Sequence, residues 1–515
     1  NSDGTIDQGY VNDMEIQADG KIVLGGVVHR DGVSNSHMAF VRLNTDGSLD
    51  TSFDGDGKIN LSPRVSQNVV SSIRILSNGK IAFAGWGEEY INPHMNHDMM
   101  VGVLNSDGSF YTGFNSVGYR YIDVSAATYD DVACDMEINS AGMLVVAGAV
   151  DPDGDDDYDY FGVVSVDPAD GSMNTSFSTD GIATYDPHGG GGGKAEAYAI
   201  EIDTATDDIY LGGYAGGGTW VAAAKINSAG ALDTTWGNTT PSTDGFFKDN
   251  SITDFKFFDL RLLSNKKLVG VSKTHVLRLT TTGVLDTSFD TDGAVALPTI
   301  QEVKHFGRIF VRNDDSLILS GESNVLTGTM QWNHETPIVI DMKADGTLNT
   351  AFNSVGYKSM DYFGSANNTL EDMAFSGDGG VISAGLTHSY YGNIGMSKVD
   401  SSGALASGFG TNGVVNVNIG SRTDPAKAVA VQSNGKMIIG SDNGYISRYN
   451  IDGSLDTTFA SSGIYDGSAN HSITDLMVLS DDSIVAVGMI YNANMDIGIT
   501  KLDSSGAVDA SFGTS

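Results

Sequence analysis

One string recurs nine times along this chain and limits its fold more than any other feature. It first reads Asp46-Gly47-Ser48-Leu49-Asp50-Thr51-Ser52-Phe53, a glycine turn, a hydrophobe, an Asp or its substitute, two small residues and an aromatic. Later copies end at Phe114, Phe177, Trp236, Phe289, Phe352, Phe409, Phe459 and Phe512, so the copies run from end to end. A second element precedes each copy: a tight turn followed by a strand ending in glycine, as in Asp19-Gly20-Lys21-Ile22-Val23-Leu24-Gly25-Gly26 and Asn78-Gly79-Lys80-Ile81-Ala82-Phe83-Ala84-Gly85. A unit of this length cannot hide its own apolar faces, so neighbouring units must stack.

Each unit reads as four short strands, a to d. Asn-Gly and Asp-Gly between apolar runs predict a–b hairpins with type I′ turns, in which both central residues take positive φ. Strand b is almost continuously apolar, as in Met143-Leu144-Val145-Val146-Ala147. A run without alternation means that both faces of its sheet are covered. The glycine that closes strand b predicts a close approach, expected near a crowded central axis. The hydrophobic runs are too short for helices.

These features predict an all-β fold, a β-propeller of about nine four-stranded blades, as a single domain over 1–515. The units fall at approximately 9–62, 69–123, 132–186, 196–249, 255–298, 305–361, 370–419, 427–466 and 473–515 plus 1–8. The opening Asn1-Ser2-Asp3-Gly4-Thr5-Ile6 matches the residues just after an anchor aromatic elsewhere, such as Asn353-Ser354-Val355-Gly356-Tyr357. Residues near 3–8 are therefore expected to pair with strand c of the ninth unit and close the ring, which removes exposed sheet edges. The alternatives are nine units cut from a longer array, or an open ring.

The strings at 17–26 and 43–53 resemble the delta-60 repeat family of bacterial proteins. The resemblance implies a β-propeller in an exported or cell-surface protein, and no reaction. It extends over all nine units. It weakens in the fourth, where Thr206-Asp207-Asp208 replaces the glycine turn, and in the seventh, where Ala406 replaces the usual Asp.

Composition narrows the partners. Of 515 residues, 65 are Gly and 9 are Pro, which suits many tight turns rather than collagen or a Pro-rich linker. The net charge of −37 repels nucleic acid and anionic lipid and attracts cations; its plainest use is solubility. Cys134 is the lone cysteine, so no intrachain disulfide exists. No apolar run of ~18 residues occurs, so no membrane insertion by a helix is expected. The chain begins at Asn1 without a methionine, as a processed or excised segment would, so the lack of a signal peptide does not argue against export.

The a–b and c–d turns are short and repetitive, whereas the b–c and d–a connections vary. Variable loops on a rigid scaffold carry binding, so the b–c/d–a face is expected to hold protein or glycan. Its candidate contact residues are Trp86, with Tyr90, His94 and His97 in the loop after it that runs Gly87 to Asp98, Trp332 and His334 in a second loop, and Tyr390 and Tyr391 in a third. The competing role for these aromatics is packing of their own loops. Asp151, Asp153, Asp155, Asp157 and Asp159 cluster on one loop, which suits Ca²⁺ or a solvated acidic loop. Asp46, Asp50, Asp54 and Asp56 are expected to cap turns, and the anchor aromatics to be core wedges.

No catalytic residue is identified. The glycine run Gly189 to Gly193 before Lys194 lacks P-loop spacing, and neither a G-x-S-x-G nor an H-E-x-x-H motif is present. The expectation is a non-enzymatic extracellular or cell-surface binding or adhesion module, requiring no cofactor and belonging to a larger surface assembly. The alternatives are a propeller enzyme acting on polysaccharide or a small ester, and a structural spacer.

Overall fold

The computed structural model describes residues 6–30, 36–44, 49–64, 67–91, 94–124, 130–152, 160–189, 193–217, 220–237, 244–249, 257, 259–272, 274–297, 303–325, 334–359, 369–387, 393–419, 424–467, 471–479, 481–491 and 495–509. The chain is all-β and carries nine antiparallel blades of a β-propeller, with no helix among the described residues. Eight blades have the strand order a-b-c-d, and the ninth shows a-b-c among the described residues. The chain divides into two compact units, one reaching Ala296 and the other beginning at Leu297. Five four-stranded sheets lie in the first unit; three four-stranded sheets and one of three described strands lie in the second. Among the described residues no helix is long and apolar enough to cross a membrane.

The expected pairing of residues near 3–8 with the ninth unit needs correction for Ile6 and Gln8, the ones among them whose pairing is described. Ile6 pairs with Arg30 and Gln8 with His29, so these residues lengthen strand a of the first blade (Ile6–Ile16) against its strand b (Ile22–Arg30). An antiparallel hairpin keeps gaining ladder bonds as long as both arms stay extended, and both arms continue this far. Residues 1–5 and 510–515 lie outside the described residues.

Strand b is sealed on both faces, as its composition requires. In the third blade Leu144–Val150 is buried at every position. Its Val145 and Ala147 pack with Ile200, Leu211 and Ala222 of the fourth blade, and its Leu144 and Val146 pack with Ala82, Val101 and Phe114 of the second. The anchors Phe53, Phe114, Phe177, Trp236, Phe289, Phe352, Phe409 and Phe459 are all buried core residues; Phe512 lies outside the described residues.

The residue after an anchor stitches its blade to the next turn. Within the first unit, Asp54 N–H donates to Asp107 O at 2.6 Å and Asn115 N–H to Asp170 O at 2.8 Å. Within the second unit, Gly410 N–H donates to Asp452 O at 2.7 Å.

Two sequence expectations about glycine change. At the a–b turn of the second blade, Gly79 N–H bonds Leu76 O, Leu76 N–H bonds Lys80 O, and Gly79 (φ 78°) takes positive φ while Asn78 does not. This is a type I turn followed by a left-handed residue, not a type I′ turn. It explains why Asp207, Lys266 and Asp482 can stand in the glycine position at φ 57°, 64° and 65°: one left-handed residue is tolerated where two would be costly. The close approach at the end of strand b is local at Gly85, Gly148, Gly213 and Gly488, whereas at Gly440 it is to Ile473 and Leu476 of the next blade. A Cβ on Gly148 would overlap the carbonyl oxygen of Val132, which belongs to strand a of the same blade (Asp131–Ile138). A β-bulge between the pairs Ala147–Asp135 and Gly148–Ala133 pushes that carbonyl inward.

Candidate ligand-binding cleft

In the second blade, strand b (Ile81–Ile91) and strand c (His94–Leu104) stay paired far past the sheet, with Glu88 opposite His97 and Ile91 opposite His94. The stretch expected to be a loop from Gly87 to Asp98 is therefore, where described, two paired strands that run on from the sheet. Side chains alternate across a strand and facing partners share a side. Trp86, Glu88 and His97 thus lie on one side of this hairpin, and Glu89, Asn96 and Asp98 on the other.

The first side opens onto a cleft of about 440 Å³ lined by Ser71, Trp86, His97, Val132, Ala133, Cys134 and Tyr198. Trp86 and His97 meet edge to face, with ring centres 4.7 Å apart. Asp130 Oδ1 accepts the backbone N–H of His97 at 2.9 Å and lies 2.8 Å from the ring Nδ1, with which it makes no hydrogen bond. Glu88 Oε1 sits 3.7 Å from the other ring nitrogen. On the far wall, the Tyr214 hydroxyl donates to Glu196 Oε1 at 2.7 Å, and Tyr214 lies 6.0 Å from Tyr198, ring to ring. Burial and that carboxylate push the Tyr214 hydroxyl pKa up.

Ser71, Cys134 and Tyr198 share a structural origin. They are the residues skipped by the a–b ladders of blades two, three and four: the pairs run Val70–Gly85 then Ser72–Ala84, Gly148–Ala133 then Ala147–Asp135, and Ala197–Gly213 then Ala199–Gly212. A bulge re-aims the side chain it displaces. Sequence reasoning finds Trp86 and His97 but overlooks these three. Aligning the units at strand a would reveal one position that varies as Asn12, Ser71, Cys134, Tyr198, Glu371, Lys427 and Thr474.

The opposite side of the hairpin is a charged cluster. Asp98 pairs with Arg64, whose guanidinium lies 4.0 Å from the Tyr121 ring centre and 3.3 Å from Glu89. One oxygen each from Asp98, Asp123 and Asp131 all lie within 4.8 Å of one another.

The remaining candidates are spread elsewhere. Tyr90 is exposed near the outer end of these strands, and the backbone of His94 pairs there, its side chain lying outside the described residues. His334 begins a strand c in the second unit (His334–Met342), again without a described side chain. Trp332, Tyr390 and Tyr391 lie outside the described residues, as do Asp153, Asp155, Asp157 and Asp159; Asp151 is described and buried. Of the turn carboxylates, Asp46 lies outside the described residues. Asp56 caps Lys58 N–H at 2.9 Å, and Asp50 accepts from Ser52 N–H at 3.1 Å. Asp50 does more than cap: it is buried and binds Arg42 Nε at 2.7 Å and Lys21 Nζ at 2.8 Å.

Two segments, 17–53 and 432–459, match a family model described as a domain of unknown function that forms a β-propeller. No curated protein matches the chain. Among solved structures it is similar to PorZ, a surface component of the type-IX secretion system of Porphyromonas gingivalis, at 13% identity and TM-score 0.30, covering 97% of this chain and 68% of that one. It is similar to the extracellular domain of BT4673 from B. thetaiotaomicron at 10% identity and TM-score 0.30, covering 97% and 78%. It is also similar to Sqt1 of Saccharomyces cerevisiae at 11% identity and TM-score 0.41, covering 81% and 92%.

Proposed function

We propose that the chain is a non-catalytic binding module of an exported bacterial protein that holds a protein or glycan in the cleft of blades two to four. The observation that carries this reading is the meeting of Trp86, His97 and Tyr198 around one open cleft, on the b–c/d–a side where the repeats vary most. An aromatic wall offers contact area at little entropic cost, and the neighbouring carboxylates orient polar groups. The acidity of the chain, at −37, favours partners with a positive or neutral contact surface.

The test compares the native chain with Trp86→Ala and His97→Ala on a glycan array and against purified envelope proteins. The reading requires both variants to lose at least tenfold in affinity for whatever the native chain holds. Unchanged binding by both would move the working surface elsewhere.

One observation favours a catalytic reading as the alternative. Cys134 and His97 line the same cleft, and His97 has Asp130 at its Nδ1. A thiol, an imidazole and a carboxylate are the parts of an acyl-transfer site. Against it, the other ring nitrogen faces Glu88, so the imidazole sits between two carboxylates. Hydrolysis of a chromogenic ester that Cys134→Ala abolishes would favour the enzyme.

A further inference from the structure

We infer that the cleft of blades two to four seats a neutral sugar ring, an assignment that rests on the binding reading above and narrows its ligand to a glycan. Ser71, Trp86 and His97 carry the inference, because each brings to the cleft a polar atom that no protein group satisfies. Ser71 Oγ, Trp86 Nε1 and His97 Nε2 make no hydrogen bond among the described residues, and none of the three atoms is buried. Glu88 Oε1 stays 3.7 Å from His97 Nε2, beyond hydrogen-bond reach. Ser72, the residue after Ser71, is by contrast tied to Asp13 and Arg74.

The surface around these atoms is apolar, with Val132 and Ala133 beside the rings of Trp86 and Tyr198. A sugar ring has the same division: C–H groups form an apolar face, and hydroxyls that both donate and accept form its edge. Trp86 Nε1 donates only, Ser71 Oγ does either, and His97 Nε2 does either according to its tautomer. That mixture matches hydroxyls, whereas a carboxylate or phosphate calls for donors alone. An apolar wall with a few free polar atoms is the usual make-up of a small-ligand site, and about 440 Å³ falls within the range of about 300–1,000 Å³ that such sites span.

The rings are fixed before any ligand arrives. Trp86 meets His97 edge to face, and Tyr198 lies against Tyr214, whose hydroxyl is held by Glu196. Side chains already held lose little freedom on contact.

Charge selects among sugars. No Lys or Arg lines the cleft, and Asp130 and Glu88 flank His97. A uronic acid or a phosphorylated sugar would be repelled. A cationic ligand is poorly served, since these carboxylates already accept within the protein: Asp130 from His97 N–H, Glu88 from Gln67 N–H at 3.3 Å and Glu196 from the Tyr214 hydroxyl.

Isothermal titration of the native chain with neutral xylo-, manno-, gluco- and galacto-oligosaccharides and with chitotriose tests the inference, with oligogalacturonate as the anionic counterpart. Cys134 locates the ligand: it is the single cysteine and lines the cleft, so a seated sugar should slow its reaction with a soluble disulfide reagent. At least one neutral saccharide is expected to give heat and to protect Cys134, and oligogalacturonate to bind about tenfold more weakly or worse. Ser71→Ala should weaken binding about three- to tenfold, the loss of one hydrogen bond, and Trp86→Phe, which keeps a ring without the N–H, by a similar factor. Ser71 Oγ bonds nothing in the protein, so its removal leaves the fold in place. Absence of heat with every neutral saccharide overturns the inference, as does heat that neither variant weakens or that leaves Cys134 unprotected, which would put the sugar elsewhere. Equal affinity for oligogalacturonate overturns the assignment to a neutral ring. A thiol silent before any sugar is added means a closed cleft and overturns both readings. Loss of a protein partner in Trp86→Ala, with no saccharide bound by the native chain, would keep the cleft and reject the sugar.

Discussion

The carboxylate of Asp372 bridges two blades: Oδ1 accepts the N–H of Met373 at 2.7 Å in its own strand, and Oδ2 accepts the N–H of Val429 at 2.8 Å in the next. Asp372 follows the bulge in strand a of the seventh blade (Thr369–Phe375), and Val429 lies in strand a of the eighth (Ala426–Val431). The same latch occurs in the first unit, where Asp13 Oδ2 accepts Ile73 N–H at 2.8 Å and Asp135 Oδ2 accepts Ile200 N–H at 3.4 Å. A bulge leaves backbone donors without ladder partners, and a short carboxylate placed beside it supplies them.

Asp372→Ala should therefore destabilise the chain by about 1.5–3 kcal/mol, the range for hydrogen bonds to a charged acceptor. Asp372→Asn, which keeps an oxygen for one donor, should cost less. Urea unfolding monitored by fluorescence measures both. Equal midpoints for the native chain and Asp372→Ala would show that the latch contributes nothing.

Gly148→Ala should cost about 3 kcal/mol or prevent folding, because its Cβ would enter the Val132 carbonyl oxygen and the bulge cannot retreat. Gly142→Ala is the control. Gly142 has φ +80° and open space around it, so only the left-handed backbone penalty of about 1–2 kcal/mol applies. A smaller loss at 148 than at 142 would contradict the bulge account of this glycine.

The repeat is legible because its chemistry is local. Phe53 and Phe114 occupy the same place in a short string, and burial of the large apolar group follows from the string itself. The turn type at Asn78-Gly79 is not legible, because that dipeptide serves two hairpin geometries and the hydrogen bonds of Leu76 choose between them. The hairpin from Gly87 to Asp98 carries few apolar residues, so it reads as a loop; ladder bonding holds it, and composition does not report ladder bonds. Cys134 reads only as a lone thiol, since nothing near it in sequence speaks of Trp86. Asp98, Asp123 and Asp131 meet only because consecutive blades stack, and no spacing rule encodes that meeting.

Cys134 offers a direct probe of the cleft. It is half-buried and lines the opening beneath Trp86 and His97. A single thiol per native chain should react with a soluble disulfide reagent, and Trp86→Ala should speed the reaction several-fold by removing the ring beside it. A thiol that stays silent until urea is added would mean that the cleft is closed.

Asp50→Ala should cost about 3–5 kcal/mol, since it leaves the Arg42 guanidinium, 4% exposed, without its carboxylate. Arg42 also lies 4.6 Å from the Phe53 ring centre, so losing its partner loosens the anchor. The equivalent pairs Arg278–Asp286 and Arg448–Asp456 predict similar losses for Asp286→Ala and Asp456→Ala. Values within experimental error of zero for all three would show that these pairs only fill space.

The pH profile of stability should be a dome with its top near about pH 5. Burial opposes ionisation of Asp50, yet hydrogen bonds from Lys21, Ser52 and Arg42 outweigh it and hold that carboxyl far below the usual range; Asp286 and Asp456 behave alike. Their contribution is complete above the unfolded value near about 4 and is lost as pH falls further. Asp135 and Glu201 act in the opposite sense. Burial, only partly countered by Arg74 and Arg261, raises them to about 6 and about 7. The folded chain then binds these protons more tightly than the unfolded one, so stability falls as pH rises from about 4 through about 7. Glu15, also raised by burial, and the surrounding Asp13, Glu137 and Asp259 add to the same negative field. Melting temperatures recorded from pH 3 to 9 should therefore decline on both sides of the maximum. Glu201→Gln should flatten the alkaline limb and leave the acid limb in place. A profile still rising at pH 8, or one that Glu201→Gln leaves unchanged, would show that these inner-strand carboxyls are not the groups that titrate.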